Sequence, residues 1–330
     1  MKKYLVLGSN SFAGSSFVDW LLANGNEVIG ISRSPEPNNL ILGYACNSRK
    51  DKFFKFYQMD LNNDFEAIVQ ILRSEKPSVI IDFAGQGMVA QSWIWPEQWY
   101  LTNVLSKVKL HNFLKDCDFL DRYIRISTPE VYGDSKDLLD ETAPYNPSTP
   151  YAVSHAAIDM SLKAYFRQYG FPVIFTRFAN FYGPGQQLYR IVPKASICAL
   201  TGSLLPLHGG GSSIRSFIHH KDVSEGIMRS IENGKVGETY HFSTSEFVSI
   251  ATLVEKVAEV VGTNINNFVK VSEDRPGKDH AYLMTSDKAI KTLNWVPKYT
   301  LTEGINETVV WVKENLSKIR GLAQEYIHKR

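Results

Sequence analysis

Residues 3–14 read KYLVLGSNSFAG, and this stretch decides the fold. A short apolar run ends at Gly8, Ser11 and Gly14 follow at intervals of three, and an amphipathic pattern begins. That order reads as a buried strand, a tight turn and the start of a helix. Small residues at the turn let the backbone come close to a phosphate, and the helix N-terminus favours its negative charge. The spacing is close to GxxGxxG, with Ser11 in place of the middle glycine. The alternative is a plain tight turn. Position directly after the first strand favours a nucleotide site.

Outward from there, apolar runs alternate with amphipathic stretches. EVIGIS, KFYQMDL, SVIIDFAG, RYIRIST and PVIFTRF read as strands. Residues 64–74, 96–116 and 151–169 read as helices, the last stopped by Gly170. This spacing predicts an α/β protein, a Rossmann-type doubly wound parallel sheet. After about residue 180 the pattern weakens, which predicts a smaller mixed α/β substrate lobe. The expected division is 1–179 plus 215–244 for the dinucleotide domain and 180–214 plus 245–330 for the lobe, with ligands beyond the C-terminal strand ends.

Composition sets outer limits. The 330 residues suffice for one large domain or two moderate ones. The formal net charge of +2 exerts no general pull toward nucleic acid or membrane, so an anionic partner must be held locally. The three cysteines, Cys46, Cys117 and Cys198, suggest neither a disulfide framework nor a zinc site. A reduced, cytoplasmic setting is expected. The apolar stretch before Gly8 is too short for a signal-peptide core, and no run approaches the roughly 20 residues of a membrane span.

The end of the second strand separates two cofactors. An acid there reads the ribose hydroxyls of NAD. This chain has Ser32, Arg33 and Ser34, which suit a ribose phosphate, so NADP is expected, with NAD as the alternative. The competing reading of Arg33 is a solvated surface charge. Asp60 either accepts from the adenine amine or caps a local turn.

Two segments carry chemistry: STPEVYGD at 127–134, just past a strand, and YAVSH at 151–155, opening a helix. Tyr151 and His155, four apart, share one helix face. A tyrosine beside a hydroxyl donor suits proton removal from an alcohol undergoing oxidation.

With these segments, and with AGQ (84–86), ETAPYNPSTPYAVS (141–154), RFANFYGPGQ (177–186), IRSFIHHKDV (214–223) and DRPGKDHAY (274–282), the chain resembles the extended short-chain dehydrogenases nearly end to end. Among them it resembles the nucleotide-sugar 4,6-dehydratases. The resemblance implies that Thr128 bonds the sugar's 4-hydroxyl and Tyr151 takes its proton. Glu130 stands where these enzymes hold the base for the carbon 5 proton. Phe12, Leu61 and Ala84 join Gly8, Ser11, Gly14, Ser32, Arg33, Asp60, Tyr151 and His155 at the cofactor. Asn180, Lys194, Arg215 and Arg275 are implied in holding the nucleotide sugar. A homodimer through the helices at 97–116 and 151–169 is also implied.

Two positions depart from the family pattern. Dehydratases of deoxythymidine-linked glucose carry an aspartate before the glutamate, as acid for the leaving hydroxyl, and here stands Pro129. The acid must then be another group, for which Glu130 itself, once it holds the carbon 5 proton, is the candidate; Arg33 and the missing aspartate lean toward a guanosine-linked sugar. The family's Tyr-x-x-x-Lys ends here in His155, which predicts slow or pH-shifted oxidation or a compensating group elsewhere. A 4-epimerase, a uronic acid decarboxylase and a catalytically impaired binding protein stay open as alternatives. Trp93, Trp95 and Trp99 either line the sugar or pack a core or interface.

Overall fold

The computed structural model describes residues 2–273 and 279–329. Its centre is a seven-stranded sheet. Five strands are β1 (Lys3–Leu7), β2 (Glu27–Ser32), β3 (Phe54–Gln58), β4 (Val79–Asp82) and β5 (Arg122–Ser127), and Val173–Phe178 and Thr239–Phe242 complete it. The spatial order is Thr239–Phe242, Val173–Phe178, β5, β4, β1, β2, β3. All neighbours run parallel.

Both faces of this sheet are covered. In β1, Tyr4 and Val6 enter one core with Phe17, Leu21 and Ile227, while Leu5 and Leu7 enter the other with Ile68, Leu110 and Leu162. A strand buried on both faces needs an unbroken apolar run, which is why KYLVL is continuous rather than alternating. The order of connections reverses between β1 and β4, so a crevice opens above their C-terminal ends. Gly8, Ser32, Ala84 and Thr128 all stand just at or past such ends.

The remaining elements form a lobe around Val192, Leu253, Val257, Phe268 and Ile305. The strand Ile214–His219 stands outside the large sheet. It pairs with Asn180–Tyr182 and Phe247–Ser249 in a separate three-stranded sheet. The following helix, His220–Asn233, and the strand Thr239–Phe242 do pack with the large sheet. One apolar unit of sequence thus serves both bodies, which periodicity alone cannot reveal.

The helix expected over 96–116 is also modified. It runs as Pro96–Tyr100, a π turn at Leu101–Leu105, and Ser106–Leu114. The wider turn brings Asn103 inward. Its Oδ1 accepts from Gln86 N at 2.8 Å, and its amide donates to Gln86 O at 3.1 Å and to Ser154 Oγ at 3.0 Å. A π turn is common where a helix side chain must be re-aimed at a site. No helix among the described residues is long and apolar enough to cross a membrane.

Candidate active site

The turn after β1 is built for close approach. Gly8 adopts φ 78°, and a Cβ there would lie 2.8 Å from Ala84 N. A Cβ on Gly14 would lie 2.3 Å from Gly8 O. Ser11 takes the middle position because it caps the helix α1 (Phe12–Ala23): its Oγ accepts from Gly14 N at 3.1 Å and donates to Gly8 O at 2.7 Å. The free N–H groups of α1 therefore face the crevice beside backbone that no side chain shields, and this fits a dinucleotide pyrophosphate. Gly14→Ala is expected to weaken cofactor binding about tenfold or more, because the clash is with backbone that cannot rotate away. Titration of the purified variant with NAD and NADP reads this directly.

At the end of β2, Ser32 Oγ accepts from Asn10 N at 3.0 Å. Arg33 is not a plain solvated charge. It donates to Gln86 Oε1 at 3.5 Å and to Lys329 O at 3.0 Å. Gln86 Nε2 donates to the same Lys329 carbonyl at 2.9 Å, and Lys329 Nζ donates to Ser34 Oγ at 2.8 Å. The preceding His328 stacks on Trp95 and Trp99, with centroids at 4.6 and 5.6 Å. Glu325 pairs with Lys194 at 2.5 Å. The C-terminal residues thus run from the lobe to the β2 end, a contact that no local sequence signal predicts. Trp99 is fully buried and Trp93 is half exposed, so packing accounts for Trp99.

Asp60 serves a local turn: its Oδ1 accepts from Asn62 N at 2.8 Å. Leu61 is buried in the core under the neighbouring helices.

Past β5, Thr128 caps the short 3-10 turn Pro129–Tyr132 through a bond from Glu130 N, 3.3 Å long. Proline at the first position fits because its missing N–H has no partner to lose there. The turn presents Glu130 to the cleft opposite the Pro150–Tyr169 helix. Thr149 caps that helix through Ala152 N at 3.1 Å, setting Tyr151 in its first turn. Thr128 also hydrogen-bonds the Tyr151 phenol.

The electrostatics of these groups are coupled. Burial pushes the Glu130 carboxyl up to about 7, and Asp279 acts in the same direction against the opposing charges of Arg215 and Arg190. Burial, then the Glu130 charge, raise the Tyr151 phenol far above the ordinary tyrosine range, against the bond from Thr128. Burial also drives His155 well below the usual histidine range, with the charges of Arg125, Lys107 and Arg177 adding to the effect. The Tyr151 and His155 rings lie 4.6 Å apart.

The far wall comes from the lobe. Asn180 Oδ1 accepts from the Tyr282 hydroxyl at 3.3 Å. Arg215 is braced by the carbonyls of Ile214, Asp279 and His280 at 2.7–2.9 Å and lies over the Tyr282 ring at 4.1 Å. Arg275 lies outside the described residues. Sequence reasoning missed Arg190, Asp279 and Tyr282. Arg190 lies at the junction before the Ile191–Thr201 helix, Tyr282 opens a strand whose pairing with Ser135–Leu139 is remote in sequence, and Asp279 precedes that strand.

A family model described as GDP-mannose 4,6 dehydratase matches residues 5–308. A dTDP-D-glucose 4,6-dehydratase from Homo sapiens is 32% identical over 331 positions, covering 95% of this chain and 91% of that protein. A dTDP-glucose 4,6-dehydratase from Streptomyces venezuelae, solved with NAD bound, superposes with a TM-score of 0.88 at 29% identity, covering 96% of this chain and 98% of the other. A UDP-glucose 4-epimerase from Thermotoga maritima, solved with UDP-glucose, reaches 0.86 at 25% identity, covering 95% and 99%. With both bodies of the fold spanned by such matches, the chain belongs to the nucleotide-sugar 4,6-dehydratase family.

Proposed function

We propose that this protein is an NADP-dependent 4,6-dehydratase of a nucleotide-linked hexose or N-acetylhexosamine, converting it to the 4-keto-6-deoxy sugar. The observation that carries the reading is Glu130. Its carboxyl faces the same cleft as Thr128 and Tyr151 and has its proton affinity tuned to about neutrality. The fold itself is shared with epimerases, so the reaction must be argued from the site.

In this reading Tyr151, bonded to Thr128, takes the proton of the 4-hydroxyl. A dinucleotide held at the Gly8–Gly14 turn would supply the hydride chemistry at carbons 4 and 6. The ketone acidifies carbon 5, and Glu130 removes that proton. A carboxyl with a pKa of about 7 is basic enough to take it and acidic enough to give it to the departing 6-hydroxyl, which leaves as water. Pro129 carries no side-chain donor for that step. A proton equivalent to the one taken from the 4-hydroxyl then returns to carbon 5, so the balance is sugar to keto sugar plus water.

The lack of a carboxylate among Ser32, Arg33 and Ser34 supports NADP, and similar structures were solved with NAD. A guanosine-linked substrate is the first to try, on the absence of an acid before Glu130. The lobe, with Asn180, Lys194 and Arg215, is assigned to the nucleotide sugar, and Arg275 with them. Exposed Leu101, Leu105, Val153 and Met160 on the two long helices support a homodimer through that face. Incubation with a panel of nucleotide sugars, read by mass, tests the reading. Loss of one water supports it, and loss of carbon dioxide or an unchanged mass with every sugar overturns it. The mass of any co-purified dinucleotide separates NADP from NAD.

A further inference from the structure

His155 replaces the lysine that accompanies the active-site tyrosine in the family pattern, and the structure places a second cation behind it. Arg125 lies on β5 and is buried. Its Nη2 is 3.0 Å from His155 Nδ1. We propose that Arg125 is a positioning residue for His155, holding the imidazole in its Nε2–H tautomer and keeping, one layer deeper, the positive charge that a lysine would bring to Tyr151. The proposal rests on the dehydratase reading for its role and on geometry for its content.

A guanidinium has five donors, no acceptor, and keeps its charge at any working pH. The short contact is therefore a hydrogen bond only if Nδ1 accepts. A neutral imidazole that accepts at Nδ1 carries its proton on Nε2, which becomes its one donor for a ribose hydroxyl of the dinucleotide. Arg125 has no freedom to turn away. Its Nε donates to Asp159 Oδ1 at 3.1 Å and its Nη1 donates to Ile126 O at 2.9 Å, with Asp82 at 3.7 Å.

The three cations that act on His155 agree in sign. Arg125 faces it from β5, Lys107 from the Ser106–Leu114 helix and Arg177 from the Val173–Phe178 strand. Tyr151 and Asp159 share its own helix. Protonating the ring would add a cation beside three buried ones and break the Arg125 bond. Asp159 ties the cluster together, accepting from Arg125, from Arg177 at 3.1 Å and from Ser127 Oγ at 2.5 Å. Lys107 donates to Asp82 at 2.6 Å and to Ala84 O at 2.5 Å, past the end of β4 and against the Gly8 turn. Burial lowers Lys107 to about 8, against the attraction of Asp82, which leaves it charged at neutral pH. Three cations, Lys107, Arg125 and Arg177, against Asp82 and Asp159 leave one positive charge beside His155. Lysine at 155 would bring a fourth cation against Arg125.

The test has two arms. In the native protein labelled with ¹⁵N-histidine, the His155 signal is assigned by its loss in His155→Gln. It should show Nδ1 unprotonated and Nε2 protonated, unchanged from about pH 6 to about pH 9. A protonated Nδ1, or titration near the ordinary histidine range, overturns the proposal, and this arm needs neither substrate nor a change at Arg125. In the second arm, His155→Lys and Arg125→Met should each slow carbon 4 oxidation about tenfold or more with KM little changed, and the double variant should recover to within about threefold of the native rate. A double variant no faster than Arg125→Met overturns the proposal if melting curves show all three folded. If the native enzyme dehydrates no sugar, the functional reading fails while the first arm still decides the tautomer.

Discussion

Replacing Glu130 by glutamine should abolish dehydration by about 10³-fold and, at the same time, make the protein more stable at alkaline pH. Both effects follow from one displaced proton affinity. The folded carboxyl holds its proton up to about pH 7, whereas the unfolded chain releases it in the ordinary carboxylate range. Between those limits the folded state binds more protons, so its stability falls as pH rises, and above about 7 the full deficit is present. The displacement corresponds to about 1–3 kcal/mol at most, since the residue is only partly buried. Melting curves should therefore separate the variant from the native protein at about pH 8 and bring them together below about pH 4. A second consequence reaches Tyr151. The Glu130 charge raises its pKa, so its removal should lower the pH at which carbon 4 oxidation begins. Single-turnover growth of reduced nicotinamide measures that step apart from elimination. A variant that still dehydrates at the native rate would remove Glu130 from the mechanism.

Tyr151→Phe should stop the reaction one step earlier. The ring keeps its place on the helix and against His155, so KM should stay within about threefold while kcat falls about 10³-fold or more. No reduced nicotinamide should form in a single turnover, and deuterium placed at carbon 4 should stay there. Glu130→Gln differs, because it should still reduce the nicotinamide. Thr128→Val gives the intermediate case. It removes the bond that lowers the phenol, so oxidation should slow about tenfold and its pH threshold should rise. The three variants thus order the proton transfers: O4 first, carbon 5 second.

The large sheet is legible in sequence because it obeys short-range rules. KYLVL is apolar throughout since both its faces are buried, and Ser11 and Gly170 mark a helix start and a helix stop by chemistry that acts within four residues. Thr128, Glu130 and Tyr151 stand out by family resemblance, in segments beside the end or start of such an element. What escaped detection depends on distance along the chain. The π turn at Leu101–Leu105 leaves hydrophobic periodicity almost intact while turning Asn103 toward Gln86. The strand Ile214–His219 carries no mark of which sheet it joins. Arg125 reads as an ordinary residue of a buried strand, and only folding sets its guanidinium against His155, thirty positions away. Asp279 and Tyr282 enter the cleft through a pairing with Ser135–Leu139 that no local pattern encodes.

The chain's last residues give the site an unusual economy. Lys329 spans Arg33, Ser34 and Gln86 while His328 rests on two tryptophans, so the crevice beside the β2 end is fastened from outside. For an enzyme that trades its dinucleotide with solution every cycle, such a clasp would throttle turnover. A dehydratase lends a hydride and recovers it before the product departs, so its cofactor has no commuting to do. In such an enzyme, fastening one end of the crevice leaves the rate untouched and keeps the borrowed electrons at home.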